Sequence, residues 1–408
     1  MAAIQPGDTA FILISAALVL LMTPGLALFY GGMVRRKNVL GTIMQSFIMI
    51  ALISLEWVYL GYSMSFGPDV AGIIGDLSWL GLKGVGTAPN PDYAATIPQL
   101  VFMIYQCMFA VITPALITGA FAERMRFAPF VLFSLLWAIL VYNPVCHWIW
   151  GAGGWLKAKG VLDFAGGLVV HLTSGVAALA AALVVGKRRG WGREAFVPHN
   201  LPMTLLGTGL LWFGWFGFNG GSALAADGIA ATAFVSTHLA GMSAMAMWVL
   251  VEWFHRGKPT TLGAASGAIA GLATVTPAAG FVGPNAAVVI GFIAGFCCYM
   301  GVLAKERLGY DDSLDVVGIH GLGGVIGTLC LGIFASKTVN PGGANGLLAG
   351  NPAFLGTQLF AVLVVAAYAF VVSFVLLKVI DAAIGLRVAT EAEIEGLDRS
   401  EHSETAYN

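Results

Sequence analysis

A chain of 408 residues would ordinarily divide into two or three soluble domains, yet here 58% of residues are hydrophobic and 10% charged. Soluble proteins carry about 25% charged residues, so a soluble fold is excluded. The net charge of −1 leaves no basic face for nucleic acid.

Runs approaching the ~20 apolar residues that cross a bilayer recur along nearly the whole chain, and an all-α integral membrane protein follows. The opening stretch, MAAIQPGD, lacks a basic leader and an evident cleavage site, so the first apolar run reads as a true span rather than a signal peptide. Helices are predicted near 9–31, 39–62, 97–121, 128–147 and 163–186, then near 201–221, 228–254, 260–277, 285–304 and 315–334, with a long last helix near 354–384. Eleven spans put the termini on opposite sides. Sixteen Lys and Arg fall in alternate loops and the tail, among them Arg35, Arg36, Lys37, Arg124, Lys187, Arg188, Arg256, Lys305 and Arg387. Only Lys83, Lys157, Lys159 and Lys337 fall on the other side. Cytoplasmic loops carry the basic excess, which predicts the N-terminus outside and the C-terminus in the cytoplasm. Residues 1–385 then form the membrane domain, and the polar residues 386–408 form a cytoplasmic tail.

The 54 glycines suit helices packed backbone to backbone. Cys107, Cys146, Cys297, Cys298 and Cys330 are odd in number, lie in apolar stretches and have no metal-type spacing, so they read as small core residues without disulfides.

Three short motifs repeat in the same order, each five helices apart. Phe29-Tyr30-Gly31-Gly32 echoes Phe218-Asn219-Gly220-Gly221, and Thr113-Pro114-Ala115 echoes Thr276-Pro277-Ala278. His171 followed by Gly175-Val176 echoes His320 followed by Gly324-Val325. Five is odd, so the halves at about 9–186 and 201–334 have opposite topology. This is a 5+5 inverted repeat of the kind found in transporters, with the substrate path between the halves.

Ionisable groups within spans usually face the interior or mark a pathway. The candidates are Glu56, His147, Asp163, His171, His238, Glu252 and His320. His171 and His320 occupy equivalent places in the two halves, and the repeat would bring them together at mid-membrane. Two neutral imidazoles can share one hydrogen bond, leaving one nitrogen of each facing a lumen, and burial favours the neutral form. Such a pair could bind a small polar molecule or relay a proton. The plainer alternative is a histidine contact that only joins helices.

A second set is aromatic. Tyr105 and Phe109 share one helix face, Trp150 follows the fourth helix, and Trp215 and Phe218 precede Ser222 at the outer end of the sixth. Ring faces attract a cation, and a hydroxyl adds an acceptor for N–H donors. Trp150, taken alone, reads as an interfacial anchor rather than a ligand.

The runs Asp163-Phe-Ala-Gly-Gly-Leu-Val-Val-His171, Gly214-Trp-Phe-Gly-Phe-Asn219, Ala122-Glu-Arg124 and Asp315-Val-Val-Gly-Ile-His320 resemble those of prokaryotic ammonium transporters in the Amt/Mep/Rh family. The likeness extends from the first helix to the tail segments Gly385-Leu-Arg387 and Glu395-Gly-Leu-Asp398. It implies a homotrimer in the cytoplasmic membrane with one pore per subunit. It also implies an ammonium site of Trp150, Phe109 and Ser222, a gate of Phe109 and Phe218, and a pore lined by His171 and His320. Trp215 would wall that pore, and Asp163 would hold the outer site in shape without touching substrate. Tyr105 departs from the phenylalanine common in close relatives. The resemblance further implies that the tail docks on the trimer and takes part in control by a PII-type signalling protein; the alternative is a solvated end. No cofactor or metal is expected, nor catalysis, since no Gly-x-Ser-x-Gly or His-Glu-x-x-His motif occurs. The rival function is a membrane sensor that binds ammonium with little flux.

Overall fold

The computed structural model describes residues 4–407. The first three residues, and Asn408 at the end of the expected tail, lie outside that range. The helices are α1 (Pro6–Met33), α2 (Arg36–Phe66), α3 (Gln99–Phe121), and α4, which runs Phe127–Trp137 and then Asn143–Trp150. They continue as α5 (Gly167–Val185), α6 (Leu201–Gly220), α7 (Gly228–Arg256), α8 (Thr261–Val275), α9 (Pro284–Leu308), α10 (Val317–Phe334) and α11 (Pro352–Ile384). Two short tail helices follow, α12 (Thr390–Glu395) and α13 (Leu397–His402). A two-residue ladder, β1 (Asp69–Val70) with β2 (Ile74–Gly75), lies beyond α2. Among the described residues ten helices are long and apolar enough to cross a membrane, and α8 is a shorter apolar helix.

Apolar composition all round a helix removes any amphipathic signal, so packing is set by small residues rather than by a hydrophobic stripe. Gly207 shows the requirement: a Cβ there would lie 2.3 Å from the Phe29 backbone nitrogen, so α6 reaches α1 only with glycine at that position. The outer surface stays apolar, with Leu363, Val371, Val375 and Val379 of α11 exposed as a lipid-facing helix requires.

Boundaries differ from expectation where side chains or π-turns intervene. α2 continues to Phe66 through a π-helical turn at Trp57–Gly61, and α4 reaches Trp150 through another at Ala138–Tyr142. Trp150 therefore ends the fourth helix rather than following it. The fifth helix begins at Gly167, not 163, because Gly166 takes φ 115° and the Asp163 side chain occupies the cap. The tenth begins at Val317, not 315, since Asp315 has φ 64°.

The basic residues of alternate loops gather on one face. There Arg35 pairs with Glu123 and Arg188 with Asp311. Arg124 is fully buried and donates to the carbonyls of Ala120, Ala122, Gly186 and Asp311 and to Ser313 Oγ, closing several helix ends at once. The tail docks here. Glu393 accepts from the Arg189 backbone at 2.7 Å and from Arg387 at 2.8 Å, and Asp398 accepts from Gly41 N at 2.8 Å.

Candidate functional site

α5 and α10 each open with a π-helical stretch, Gly167–Leu172 and Val317–Gly321, and each stretch carries a candidate histidine. The two meet through glycine. A Cβ on Gly175 would lie 2.1 Å from Gly321 Cα, and one on Gly324 would lie 2.6 Å from Gly167 O, so the contacts are reciprocal. This close approach sets His171 Nδ1 at 3.2 Å from His320 Nδ1, with the rings 5.1 Å apart at centroid. One Nδ1 must donate and the other accept, which leaves one Nε2 a donor and the other an acceptor. His171 Nε2 is buried with no protein partner.

The histidines line a cavity of about 10 Å³ with Leu26, Ile112, Leu116, Trp215 and Phe218. That is roughly one water-sized sphere in an apolar wall. Trp215 stacks on His171 at 5.5 Å and is fixed by its Nε1, which donates to Thr276 Oγ1 at 2.9 Å.

A second cavity of about 230 Å³ opens on the face opposite the basic one, lined by Phe109, Trp150, Asp163, Ser222 and Gln106 among others. Phe109 faces this cavity and Phe218 faces the histidine cavity, and their rings stack at 4.1 Å. The stacked pair is the partition between the two spaces. Trp150 stands edge-on to Phe109 at 6.0 Å. The Ser222 hydroxyl donates to Phe218 O at 2.8 Å, which leaves its lone pairs for a ligand. Tyr105 is buried, with its hydroxyl 2.8 Å from Phe218 O and 3.3 Å from Ser222 Oγ, so it braces this corner from behind. A third cavity, about 680 Å³, opens on the basic face beside Met33, Lys305, Ser313 and Asp315.

Asp163 contacts the frame. Its Oδ1 accepts from Gly166 and Gly167 N at 2.9 and 2.7 Å, and its Oδ2 from Leu168 and Val169 N at 2.8 and 3.1 Å. Its backbone carbonyl accepts from Trp150 Nε1 at 2.8 Å, so one residue both caps α5 and aims the tryptophan. Burial pushes its carboxyl up from the ordinary range, opposed by the four N–H donors. The counterpart before α10 is Asp312, whose Oδ2 accepts from Val317 N at 2.7 Å. Asp315, the acid in the sequence motif, instead pairs with Lys305. The usable signal is spacing: Asp163 and Asp312 each precede their histidine by eight residues.

The remaining intramembrane candidates lie outside these three cavities. Glu56 accepts from Asn143 Nδ2 at 2.8 Å inside the bundle, each residue bordering a π-turn. Glu252 accepts from the Thr260 backbone and hydroxyl, joining α7 to α8. His238 sits on an exposed face beside Trp212 and Phe216. His147 is fully buried with Nδ1 3.0 Å from Ser65 O and Nε2 3.0 Å from Asp69 Oδ1. These two contacts tie α4 to the end of α2 and to the loop beyond it. The five cysteines are free.

The sequence matches the Ammonium Transporter Family over residues 10–407. The chain belongs to the ammonium transporter family. It is 54% identical to the ammonium transporter of Bacillus subtilis, with 99% of each chain covered. It is 50% identical to the ammonium transporter Amt1 of Archaeoglobus fulgidus, covering 98% of this chain and 99% of that one. The fold is similar to the crystal structure of Saccharomyces cerevisiae Mep2 (TM-score 0.90, 38% identity, 95% and 88% covered). It is also similar to a structure described as a Sensor Amt Protein (TM-score 0.90, 30% identity, 97% and 98% covered). Members of the ammonium transporter family are multi-pass membrane transporters rather than enzymes, and the helices here are those of the Amt/Mep fold.

Proposed function

We propose that this chain carries ammonium across the cytoplasmic membrane by splitting it into ammonia and a proton. Ammonium enters the 230 Å³ outer cavity, where the Trp150 and Phe109 rings attract the charge and the Ser222 hydroxyl accepts an N–H. Beyond the Phe109–Phe218 gate the wall is apolar, and burying an unpaired ion there costs far more than burying a polar neutral. Ammonium meets that barrier by giving up a proton. Potassium has none to give, so similar size and charge do not let it follow.

Ammonia then passes the His171–His320 pair while the proton travels separately. One ring takes it on a free Nε2, the proton of the Nδ1–Nδ1 bond shifts across, and the other ring releases its own Nε2 proton inward. Both rings are left in the opposite tautomer, and their return resets the relay. Ammonia regains a proton in the cavity on the basic face, and net charge moves. Trp215 walls the passage, and Asp163 keeps Trp150 and the start of α5 in place. The observation that carries this reading is the order of parts: cation-attracting cavity, stacked partition, then two imidazoles in space for one small molecule.

The same reading takes α8 as an eleventh span, the two five-helix halves as an inverted repeat, and the basic face as cytoplasmic, with the N-terminus outside. It takes the working form as a homotrimer. The docked tail, α12 and α13, stands on the face where a PII-type regulator would bind. Purified protein in liposomes should acidify or alkalinise the lumen on an ammonium gradient in proportion to protein. Ammonium binding without any flux would instead fit a sensor, the role named for one similar structure, the Sensor Amt Protein.

A further inference from the structure

The outer cavity holds a polar side chain that the reading above leaves unused. Gln106 stands on α3 one turn before Phe109 and lines the same cavity as Phe109, Trp150 and Ser222. It is 9% exposed, and its Oε1 is enclosed without a hydrogen-bond partner among the described residues. Buried polar groups in native proteins are nearly always paired, so an orphan carboxamide in the wall of a binding cavity points to a partner that arrives with the ligand. Leucine or methionine would fill this volume without the cost of an unpaired amide. Packing therefore gives no reason for glutamine here.

The rest of the cavity shows what is missing. Ring faces attract any small cation and satisfy no N–H in a directed way. Ser222 offers one acceptor, because its proton is committed to Phe218 O. Ammonium carries four N–H donors. Of the other oxygens lining the cavity, the Asp163 carboxylate is taken by four backbone N–H groups, and Asp92 and Tyr93 complete the lining. Among the residues assigned to the ion, one hydroxyl leaves it poorly held after it sheds water. We propose that the Gln106 carboxamide oxygen is a second hydrogen-bond acceptor for ammonium in the outer cavity, and that it sharpens discrimination against potassium at capture. As it stands Oε1 is enclosed, so the contact is made by a half-turn of the amide that brings the oxygen to the cavity and carries the NH2 into the enclosed space. Two acceptors set at an angle, with rings on the other sides, match a tetrahedral donor. Potassium needs oxygens all around it, and this arrangement leaves it short of them. Methylammonium keeps three N–H donors and can turn its methyl to a ring, so it retains the contact.

This inference rests on the outer-site reading, and the test separates the two. Currents would be recorded from purified full-length protein in liposomes on solid-supported membranes, with ammonium as probe and potassium as competitor. Trp150→Leu would report on the outer site itself. For Gln106→Leu the half-saturating ammonium concentration should rise roughly tenfold, as expected for a hydrogen bond to a charged group. Its saturating current should stay within about twofold of wild type, since the contact is made before the chemical step. Potassium should compete at a lower ratio to ammonium than in wild type. Gln106→Glu, which keeps an acceptor, should retain or lower the half-saturating value. Unchanged half-saturation in Gln106→Leu beside a raised value in Trp150→Leu would overturn the glutamine contact alone. Unchanged values in both would overturn the outer-site reading. Equal losses in Gln106→Leu and Gln106→Glu would assign the residue to packing and also refute the proposal. If Gln106→Leu does not fold, Gln106→Met serves in its place with the same expected outcomes.

Discussion

Between the Nδ1 atoms of His171 and His320 there is room for one proton, and apart from the Trp215 indole and the Met22 thioether the other side chains lining that cavity are hydrocarbon. The pair was legible in the sequence because each histidine heads the same short motif in each half. Asp312 was not, since Asp315 stands nearer to His320 and makes the more conspicuous motif. The His147–Asp69 contact was hidden as well, because it joins residues 78 apart through a loop that periodicity does not describe. Trp150 carried two readings in sequence, and its geometry favours the cavity over a lipid anchor. Its indole N–H is turned inward to Asp163 O and its ring meets Phe109 edge-on. Trp150→Leu is therefore expected to raise the half-saturating ammonium concentration by roughly 2- to 30-fold, the equivalent of a cation–π contact of about 0.5–2 kcal/mol. Flux measured over an ammonium titration checks this. An unchanged midpoint would remove Trp150 from the site.

The elements depend on backbone contacts that hydropathy cannot report. Apolar length located α1 to α11, yet the π-turns in α2, α4, α5 and α10 and the irregular cap at 163–166 came only with the fold. A π-turn shifts the side-chain register of its helix, and here two such turns carry the histidines. Gly175 lets the two stretches touch. Gly175→Ala would place a methyl group 2.1 Å from Gly321 Cα, against rigid backbone, so α5 and α10 must separate. The expected outcome is at least a tenfold loss of ammonium flux together with a lowered melting temperature. Normal flux would show that the helices can part without disturbing the relay. Asp163→Ala tests the cap, since it strands four backbone donors. A stability loss of about 2 kcal/mol or more is expected by chemical or thermal unfolding in detergent. A loss within error would mean that water replaces the carboxylate.

At the scale of the whole molecule, charge and hydrocarbon divide cleanly. The basic loops, Arg124 and the docked tail form one ionic layer, and the third cavity opens within it. The tail's polar composition left a solvated end open, and docking was what the family resemblance implied. Its docking relies on Glu393 and Asp398, which meet partners far away in the chain. Within this layer burial pushes the Asp312 carboxyl up to about 6, with Lys305 pulling it down and Asp315 pushing it up. A carboxyl raised in the folded state contributes stability that is fully present below its ordinary pKa of ~3.9 and is lost as pH rises through about 6. Between those limits the melting temperature of wild type should fall relative to Asp312→Asn, and parallel curves would show that the carboxyl does not titrate there. The claim on which everything else depends is that a narrow apolar passage turns away an ion that cannot shed a proton. Current recorded on solid-supported membranes during alternating ammonium and potassium pulses tests it most directly. The account predicts a current with ammonium and none with potassium; equal currents for the two ions would contradict it.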